Sequence, residues 1–315
     1  VFTIDGEEIF INPQGGVAIA PQHGNDGEML ERNGMSALAE ADRRDELLHA
    51  FSEDLQGRSS RRLKLEHDLR RALAQREFEL FYQPKFSTVG NRLIGAEALL
   101  RWHRPAGGTV SPAEFIPVLE ETGLIVPVGE YVLREALGQV MAWRARYQPG
   151  LRIAVNVSAR ELRYNGFLEQ CREILEPSQA DQGVDIEITE SLLMDDIDHN
   201  IPLLEKLRGL GCRISIDDFG TGYSSLNYLT RLPADEIKID QSFVATLAQS
   251  PETMGLITNV INLAHSLSLR VVAEGVENEE QVKLLRLLRC DVLQGYFLGR
   301  PMPAAAFEEL LAHVT

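Results

Sequence analysis

The feature that most constrains the fold is an alternation of short apolar runs with amphipathic helical segments, from Glu77 to the end of the chain. Such alternation is typical of repeated βα units around a parallel sheet. The runs lie at residues 80–83, 93–100, 152–157, 185–189, 213–216, 236–239, 270–273 and 291–294. Eight runs predict an α/β fold whose sheet closes into a barrel of the TIM type.

Helix-bounding residues lie between these runs. Residues 111–114 have the sequence of a capping box with proline at the first helical position, and Gly123 ends the helix that follows. Asn278 with Gln281 begins a second helix, and Gly211 ends a third. The segments between the runs are therefore predicted to be helices.

The first 75 residues do not follow the alternation. Two short strands joined by a turn are predicted at about 8–13 and 15–21, and an Ala- and Leu-rich helix at 26–41. Apolar residues near the helical period predict a helical linker at 46–75, interrupted at 57–60. This linker either self-associates or packs on its own barrel. The predicted domains are an N-terminal piece (1–45), the linker (46–75) and the barrel domain (76–315).

Composition limits the possible functions. The chain has 315 residues, 44% of them hydrophobic, which suffices for one barrel and a smaller piece. A formal charge of -16 argues against binding to duplex nucleic acid, because duplex binders need a cationic face. A small anionic ligand would instead need local metal ions.

Cysteine usage and hydropathy bear on the compartment. Cys171, Cys212 and Cys290 are odd in number and widely spaced, so we expect reduced thiols in a cytoplasmic protein. No apolar run approaches the roughly 20 residues of a membrane span, and the N-terminus has no signal-peptide pattern. We expect this segment to be soluble and without membrane contact, with room for an anchor upstream in a full-length protein.

Polar or charged residues stand at the carboxyl ends of seven runs, where barrel enzymes carry their catalytic groups. They are Glu97, Asn156, Glu187 with Glu190, Asp217 with Asp218, Lys238 with Asp240, Glu274 with Glu277, and Gln294. Each has a simpler explanation alone; the Asp217–Asp218 pair, for example, is compatible with a turn that caps the next helix. Together they predict one acidic cluster, which would repel itself without cations.

The residue types in this cluster indicate the kind of metal. Oxygen ligands without nearby His or Cys favour a hard cation, Mg²⁺ or Mn²⁺, over zinc. More carboxylates are present than one octahedral ion would need, so two ions about 3.5–4 Å apart are expected, an arrangement used for in-line attack at phosphorus. Asp217 is the best candidate for a bridging ligand, because Asp218 can then serve the second ion alone.

From about Phe78 to its end, the chain resembles the EAL domain, a phosphodiesterase of the bacterial messenger cyclic di-GMP. The matching segments are 82–84, 97–102, 111–112, 115–117, 120–123, 156–158, 187–190, 217–222, 238–240, 273–277 and 294–296. The resemblance implies a modified barrel whose first strand runs antiparallel. It also implies metal-dependent hydrolysis of cyclic di-GMP to linear pGpG.

The first 45 residues resemble, more weakly, the tail of a GGDEF domain, the diguanylate cyclase fold that often precedes EAL. The matching residues are 16–18, Pro21, Leu30, Asn33 and 37–38. The signature loop and its metal-binding Asp are absent, and Met35 and Asp42 replace residues usual in that family. We interpret the segment as a truncated remnant that cannot synthesise the messenger.

The EAL resemblance implies roles for individual residues. Metal ligands would be Glu97, Asn156, Glu187 and Asp217 for one ion, and Asp217 with Asp218 for the other, completed by Glu274. Lys238 would orient the attacking water rather than act as a base. Glu190 would hold the loop after Asp218, although an exposed acid in a first helical turn is an alternative interpretation. Substrate contacts would come from Gln83, Leu99, Arg101, Asp240, Glu277 and Gln294.

The resemblance also suggests a homodimer formed through the barrel region near the loop at 219–225. Some relatives have lost metal ligands and serve only as cyclic di-GMP receptors. A receptor, or a protein-interaction scaffold, is therefore the alternative to an active hydrolase. The chain keeps every ligand position of the pattern, which favours the hydrolase.

Overall fold

The computed structural model describes residues 2–4, 7–9, 13–44, 46–104, 107–176, 183–220 and 229–314. The chain forms two compact units, Val1–Arg71 and Ala72–Thr315. In chain order up to the barrel, the elements are β1 (Phe2–Ile4), β2 (Glu7–Ile9), β3 (Gly15–Val17), α1 (Gly27–Arg43), β4 (Leu48–Ala50) and α2 (Glu53–Gln75). The boundary between the units falls within α2.

The small unit differs from its sequence prediction in three features. Strand β3 pairs in parallel with β4, not with the strand before it, which is β2 and pairs with β1. The predicted helix over the start of the 46–75 segment is wrong, because the backbone of β4 is used in this sheet pairing. The interruption predicted at 57–60 is also wrong: α2 continues through it, since one glycine costs a helix only about 1 kcal/mol. The helix predicted at 26–41 is confirmed as α1.

The larger unit contains the remaining strands and helices. Its strands are β5 (Phe78–Ser87), β6 (Leu93–Arg104), β7 (Gly108–Val110), β8 (Arg152–Asn156), β9 (Val184–Thr189), β10 (Arg213–Phe219), β11 (Glu236–Ile239), β12 (Arg270–Ala273), β13 (Val292–Gln294) and β14 (Met302–Pro303). Its described helices are α3 (Pro112–Thr122), α4 (Ile125–Arg146), α5 (Ala159–Leu162), α6 (Phe167–Leu175), α7 (Glu190–Asp195), α8 (Ile197–Gly209), α9 (Gln241–Thr246), α10 (Pro251–Ser266), α11 (Glu279–Leu287) and α12 (Ala304–Val314).

Eight strands close into a barrel, as the apolar runs predict. The order around the barrel is β5, β6, β8, β9, β10, β11, β12 and β13, and β13 pairs again with β5. Strand β5 is antiparallel to both neighbours, whereas the other pairs around the barrel are parallel. Short strands β7 and β14 extend the sheet outside the barrel.

The helix boundaries confirm some of the sequence signals. The helix predicted to begin at Asn278 is α11, where Asn278 and Gln281 form a capping box, and Gly123 ends α3 with φ 79°. Ser111 precedes α3 with Pro112 in the first turn, but its side chain makes no capping hydrogen bond, so the predicted capping box at 111–114 is not formed. Proline already supplies the helical φ there and has no N–H to satisfy.

A continuous apolar core fills the space between the barrel and its helices. Trp143 of α4 stacks on Phe307 of α12 with ring centroids 4.6 Å apart, and Tyr82 of β5 meets Trp143 edge-on at 4.8 Å. These contacts hold the antiparallel β5 in place. Among the described residues, no helix combines the length and apolar character required to cross a membrane.

Candidate active site

The carboxyl ends of the parallel strands surround a cavity of about 240 Å³. It is lined by Gln83, Glu97, Leu99, Asp217, Lys238, Gln241, Glu274, Gly275, Glu277, Gln294, Gly295 and Tyr296. Eight of these residues were predicted as site residues from the strand ends or from the resemblance, and Gln83 is among them. The cavity therefore lies where the strand-end pattern predicts the functional site.

Lys238 lies at the centre of the acidic cluster. Its side chain is 1% exposed, and its Nζ lies 2.8 Å from Glu187 Oε2, 2.7 Å from Glu274 Oε1 and 3.1 Å from Asp217 Oδ1. Glu97 Oε2 is slightly farther away, at 3.7 Å. One ammonium group thus holds together carboxylates from four different strand ends.

Asp217 and Asp218 are adjacent, yet both face the cluster because β10 contains a bulge. Ile216 pairs with Ile237 and Phe219 with Ile239, so β10 has one residue more than β11 between these pairs. Bulges re-aim side chains that would otherwise alternate between faces. Asp218 adopts a left-handed φ of 53°, and its N–H donates to Asp217 Oδ1 at 2.9 Å. Carboxylate oxygens of Asp217, Asp218 and Glu274 all lie within 4.8 Å of one another.

Glu97 of β6 is held by amide side chains. Asn156 Nδ2 donates to Glu97 Oε1 at 2.7 Å, and Gln294 Nε2 donates to Glu97 Oε2 at 2.6 Å. Gln294 Nε2 also donates to Gln83 Oε1 at 3.1 Å, which connects β13 to the antiparallel β5. Within the described part of the chain, buried Gln294 Oε1 has no hydrogen-bond partner, so an acceptor remains for a ligand.

Burial raises the pKa values of the carboxylates in this cluster, whereas neighbouring lysines lower them. Burial raises the pKa of Glu274 to about 8, although Lys238 opposes the shift, and burial also raises the pKa values of Glu97 and Asp217. Burial works against ionisation of Glu187 as well, but Lys238 and Lys85 lower the pKa of Glu187 to about 2.

Burial and neighbouring charges also have opposite effects on the pKa of Lys238. Burial alone would lower the pKa of Lys238, but the surrounding carboxylates, Glu187 above all, raise it well above its ordinary value. Lys238 is therefore a fixed cation near neutral pH. Because a proton-accepting amine must be neutral, this environment disfavours a general-base role.

The cluster has room for added positive charge. Five acidic side chains, those of Glu97, Glu187, Asp217, Asp218 and Glu274, face two ammonium groups, those of Lys85 and Lys238. With all seven groups ionised, their net charge would be -3, from five carboxylates and two ammonium groups. All donors are oxygens, and Asn156, whose amide nitrogen is used by Glu97, keeps its own oxygen available. This donor set fits hard divalent cations.

Glu190 and the segment after Asp218 are linked by one hydrogen bond. The side chain of Glu190 is 1% exposed, so the alternative of an exposed first-turn acid is wrong. The N–H of Gly220 donates to its Oε2 at 2.9 Å. The described residues end at Gly220 here and resume at Leu229, so most of the loop at 219–225 named in the dimer prediction lies outside them.

Several predicted substrate residues occupy distinct places. Leu99 and Glu277 line the cavity, whereas Arg101 does not. The guanidinium group of Arg101 donates to Leu100 O at 3.0 Å and lies 5.5 Å from the centroid of the Phe81 ring. Asp240 caps α9 by accepting from Ser242 N at 3.0 Å, and it also lies close enough to raise the pKa of Asp218, after burial. Asp240 therefore stabilises the start of α9.

The structure adds residues that the strand-end pattern did not identify. Gln241 and Tyr296 line the cavity, and Lys85 of β5 lies 2.5 Å from Glu187 Oε1. The strand-end pattern omits Lys85, because the predicted first apolar run ends at Gln83, before Pro84. The signal was present: Gln83 and Lys85 are two residues apart, the spacing of one strand face.

The fold and cavity define a class: a TIM-type barrel with an antiparallel first strand and an acidic cluster at the carboxyl ends of its strands. Residues 66–301 match the family model of the EAL domain, and the chain belongs to that family.

Similar proteins agree with this assignment. MucR of Pseudomonas aeruginosa, a bifunctional diguanylate cyclase and cyclic di-GMP phosphodiesterase, is 41% identical over 315 residues, covering 99% of this chain and 46% of MucR. NbdA of the same organism, a cyclic di-GMP phosphodiesterase, is 39% identical over 311 residues, covering 98% of this chain and 40% of NbdA. The chain spans less than half the length of these two relatives. A solved structure of the PaMucR phosphodiesterase in complex with c-di-GMP has a TM-score of 0.74 and 45% identity, covering 78% of this chain and 99% of that one.

Proposed function

We propose that the protein hydrolyses cyclic di-GMP to linear pGpG with the help of two Mg²⁺ or Mn²⁺ ions. The observation that carries the proposal is the oxygen-rich cluster of Asp217, Asp218 and Glu274 beside the cavity of an EAL-domain chain. The c-di-GMP complex of a relative with 45% identity supports the choice of substrate.

The cations would be held at the carboxyl ends of the strands. Glu97, Asn156, Glu187 and Asp217 would bind one ion, Asp217 and Asp218 the other, and Glu274 would complete the cluster. When bound, such ions activate water and neutralise phosphate charge. Burial raises the pKa values of Glu97, Asp217, Asp218 and Glu274, and bound cations would favour the ionised forms of these carboxylates.

The other residues would bind and orient the substrate. Lys238, a fixed cation, would position the attacking water and offset negative charge that develops on the phosphate. Gln83 and Gln294 present amides on one side of the cavity, and Leu99 an apolar surface. Arg101 would reach a phosphate after leaving its contact with Leu100 O, and Glu277 and Asp240 would also contact the substrate. Glu190 would keep the start of the 219–225 loop in place.

Assembly and location are further proposals. We expect a cytoplasmic homodimer formed near the 219–225 loop. The GGDEF-like character of residues 1–45 remains a prediction based on resemblance, and such a remnant would have only a connecting role.

A turnover assay tests the function. Purified protein, first treated with a chelator and then supplied with Mg²⁺ or Mn²⁺, is expected to convert cyclic di-GMP to pGpG, as followed by chromatography. Binding of cyclic di-GMP without release of pGpG would instead support a receptor. Failure to bind the dinucleotide would support an interaction scaffold.

A further inference from the structure

Glu187 is held from two sides by two lysines. Its side chain is 0% exposed; Oε2 lies 2.8 Å from Lys238 Nζ and Oε1 lies 2.5 Å from Lys85 Nζ. Lys238 comes from β11, whereas Lys85 comes from β5. Each carboxylate oxygen therefore has its own ammonium donor.

Lys85 approaches Glu187 from the amino end of the barrel. Strand β5 runs antiparallel, and Lys85 pairs with Gly95, whose other neighbour, Arg152, is the first residue of β8. Its side chain also lines a second cavity, of about 340 Å³, at this end of the barrel. Lys85 thus connects that basal cavity with the acidic cluster.

We propose that Lys85 is a positioning residue that orients the Glu187 carboxylate for cation binding. The inference rests on the proposed function, because it takes Glu187 as a metal ligand. Two charge-assisted hydrogen bonds to different oxygens fix the plane of a carboxylate, whereas one leaves it free to rotate. Partners of this kind orient metal ligands and tune the affinity of the site.

Lys238 does not replace Lys85 in this role. Its Nζ is shared with Glu274 and Asp217, so it cannot follow Glu187 alone. Without Lys85, Glu187 Oε1 loses its only hydrogen-bond partner among the described residues, at a fully buried position. A carboxylate left in this state is expected to reorient toward Lys238 and away from a bound cation.

The first measurement is cation affinity in the absence of substrate. Lys85→Met is expected to raise the Kd for Mn²⁺, followed by electron paramagnetic resonance, about 10- to 100-fold, while the protein remains folded by circular dichroism. Arg92→Met is the matched control, because Arg92 is an exposed cation that lines the same basal cavity. Its Mn²⁺ affinity is expected to equal that of the wild type.

The second measurement uses the basal cavity as a route to the missing ammonium group. Lys85→Ala leaves space beside Glu187, and added methylammonium or ethylammonium is expected to restore Mn²⁺ affinity. Tetramethylammonium carries the same charge but has no N–H to donate, so it is expected to restore nothing. Rescue by the primary amines alone separates orientation by hydrogen bonding from simple charge neutralisation.

Three results would overturn the inference: wild-type Mn²⁺ affinity in Lys85→Met, equal rescue by tetramethylammonium, or unfolding of both Lys85 variants, which would make the residue purely structural. None of these depends on turnover. If the wild type bound Mn²⁺ but released no pGpG, the proposed function would fail while the positioning role of Lys85 stood.

Discussion

The two ends of the barrel distribute charge in different ways. At the amino end, Arg and acidic residues alternate from strand to strand in the order Arg152, Asp185, Arg213, Glu236, Arg270 and Asp291. Arg152 lies 2.6 Å from Asp185, and Arg270 lies 2.9 Å from Glu236. At the carboxyl end, carboxylates gather around Lys238 with no such alternation. The amino end is balanced by its own side chains, whereas at the carboxyl end the carboxylates outnumber the ammonium groups that contact them.

The largest effect is expected from a substitution in the acidic cluster at the carboxyl end. Glu97→Ala removes a predicted cation ligand and the acceptor for Asn156 and Gln294. We expect kcat/KM for cyclic di-GMP to fall about a thousandfold, or about 4 kcal/mol of transition-state stabilisation. Glu114→Ala, at an exposed position of α3, is the control and should retain the wild-type rate. A wild-type rate in Glu97→Ala would refute the assignment of the site.

The next largest effect is expected from a substitution in the charge pairs at the amino end. Arg152→Met leaves Asp185 buried without its closest cation, so the free energy of unfolding, measured in urea, is expected to fall by about 3 kcal/mol. The folded fraction should keep its kcat/KM, because Arg152 does not line the carboxyl-end cavity. The double variant Arg152→Met with Asp185→Leu should regain most of the lost stability, since no unpaired charge remains. Equal destabilisation in both variants would show that packing, not charge pairing, matters here.

The smallest effect concerns a carboxylate beyond the carboxyl end of β8. Burial raises the pKa of Glu161 from 4.5 to about 7, although hydrogen bonds from Ser158 oppose the shift. Between these values the folded protein holds a proton that the unfolded chain has released, so the stabilisation is complete below about 4.5 and is lost as the pH rises through about 7.

Glu161→Gln should remove this pH dependence, since glutamine does not titrate and its amide oxygen can still accept from Ser158. In urea unfolding at pH 5 and pH 8, we expect the difference between the two free energies to be about 2 kcal/mol smaller in the variant than in the wild type. An unchanged difference would assign the pH response to other groups.

Much of this architecture could be predicted from the sequence. The eight apolar runs identify the barrel strands, because a buried parallel strand is a short apolar segment bounded by polar residues. The residues at the ends of those segments converge because parallel strands share one carboxyl end. For that reason the sequence alone identifies Glu97, Asp217, Lys238 and Glu274 as members of one cluster.

Other features depend on pairing that a linear pattern does not contain. The bulge that turns Asp217 and Asp218 to one side arises only from the register of β10 against β11. The contact of Lys85 with Glu187 requires the reversed direction of β5, and the β4 strand requires a partner that precedes it by a whole helix. In each case a long-range partner decides which face or conformation a residue adopts.

The reversed first strand has one more consequence. In a barrel of eight parallel strands, the chain enters at the amino end, opposite the catalytic groups. Here Phe78, the first residue of β5, pairs with Trp102 near the carboxyl end of β6, and the same strand then passes Gln83 at the level of Glu97. The covalent connection into the barrel and the acidic cavity therefore lie at the same end, and a single strand, β5, leads from that connection to the cavity wall.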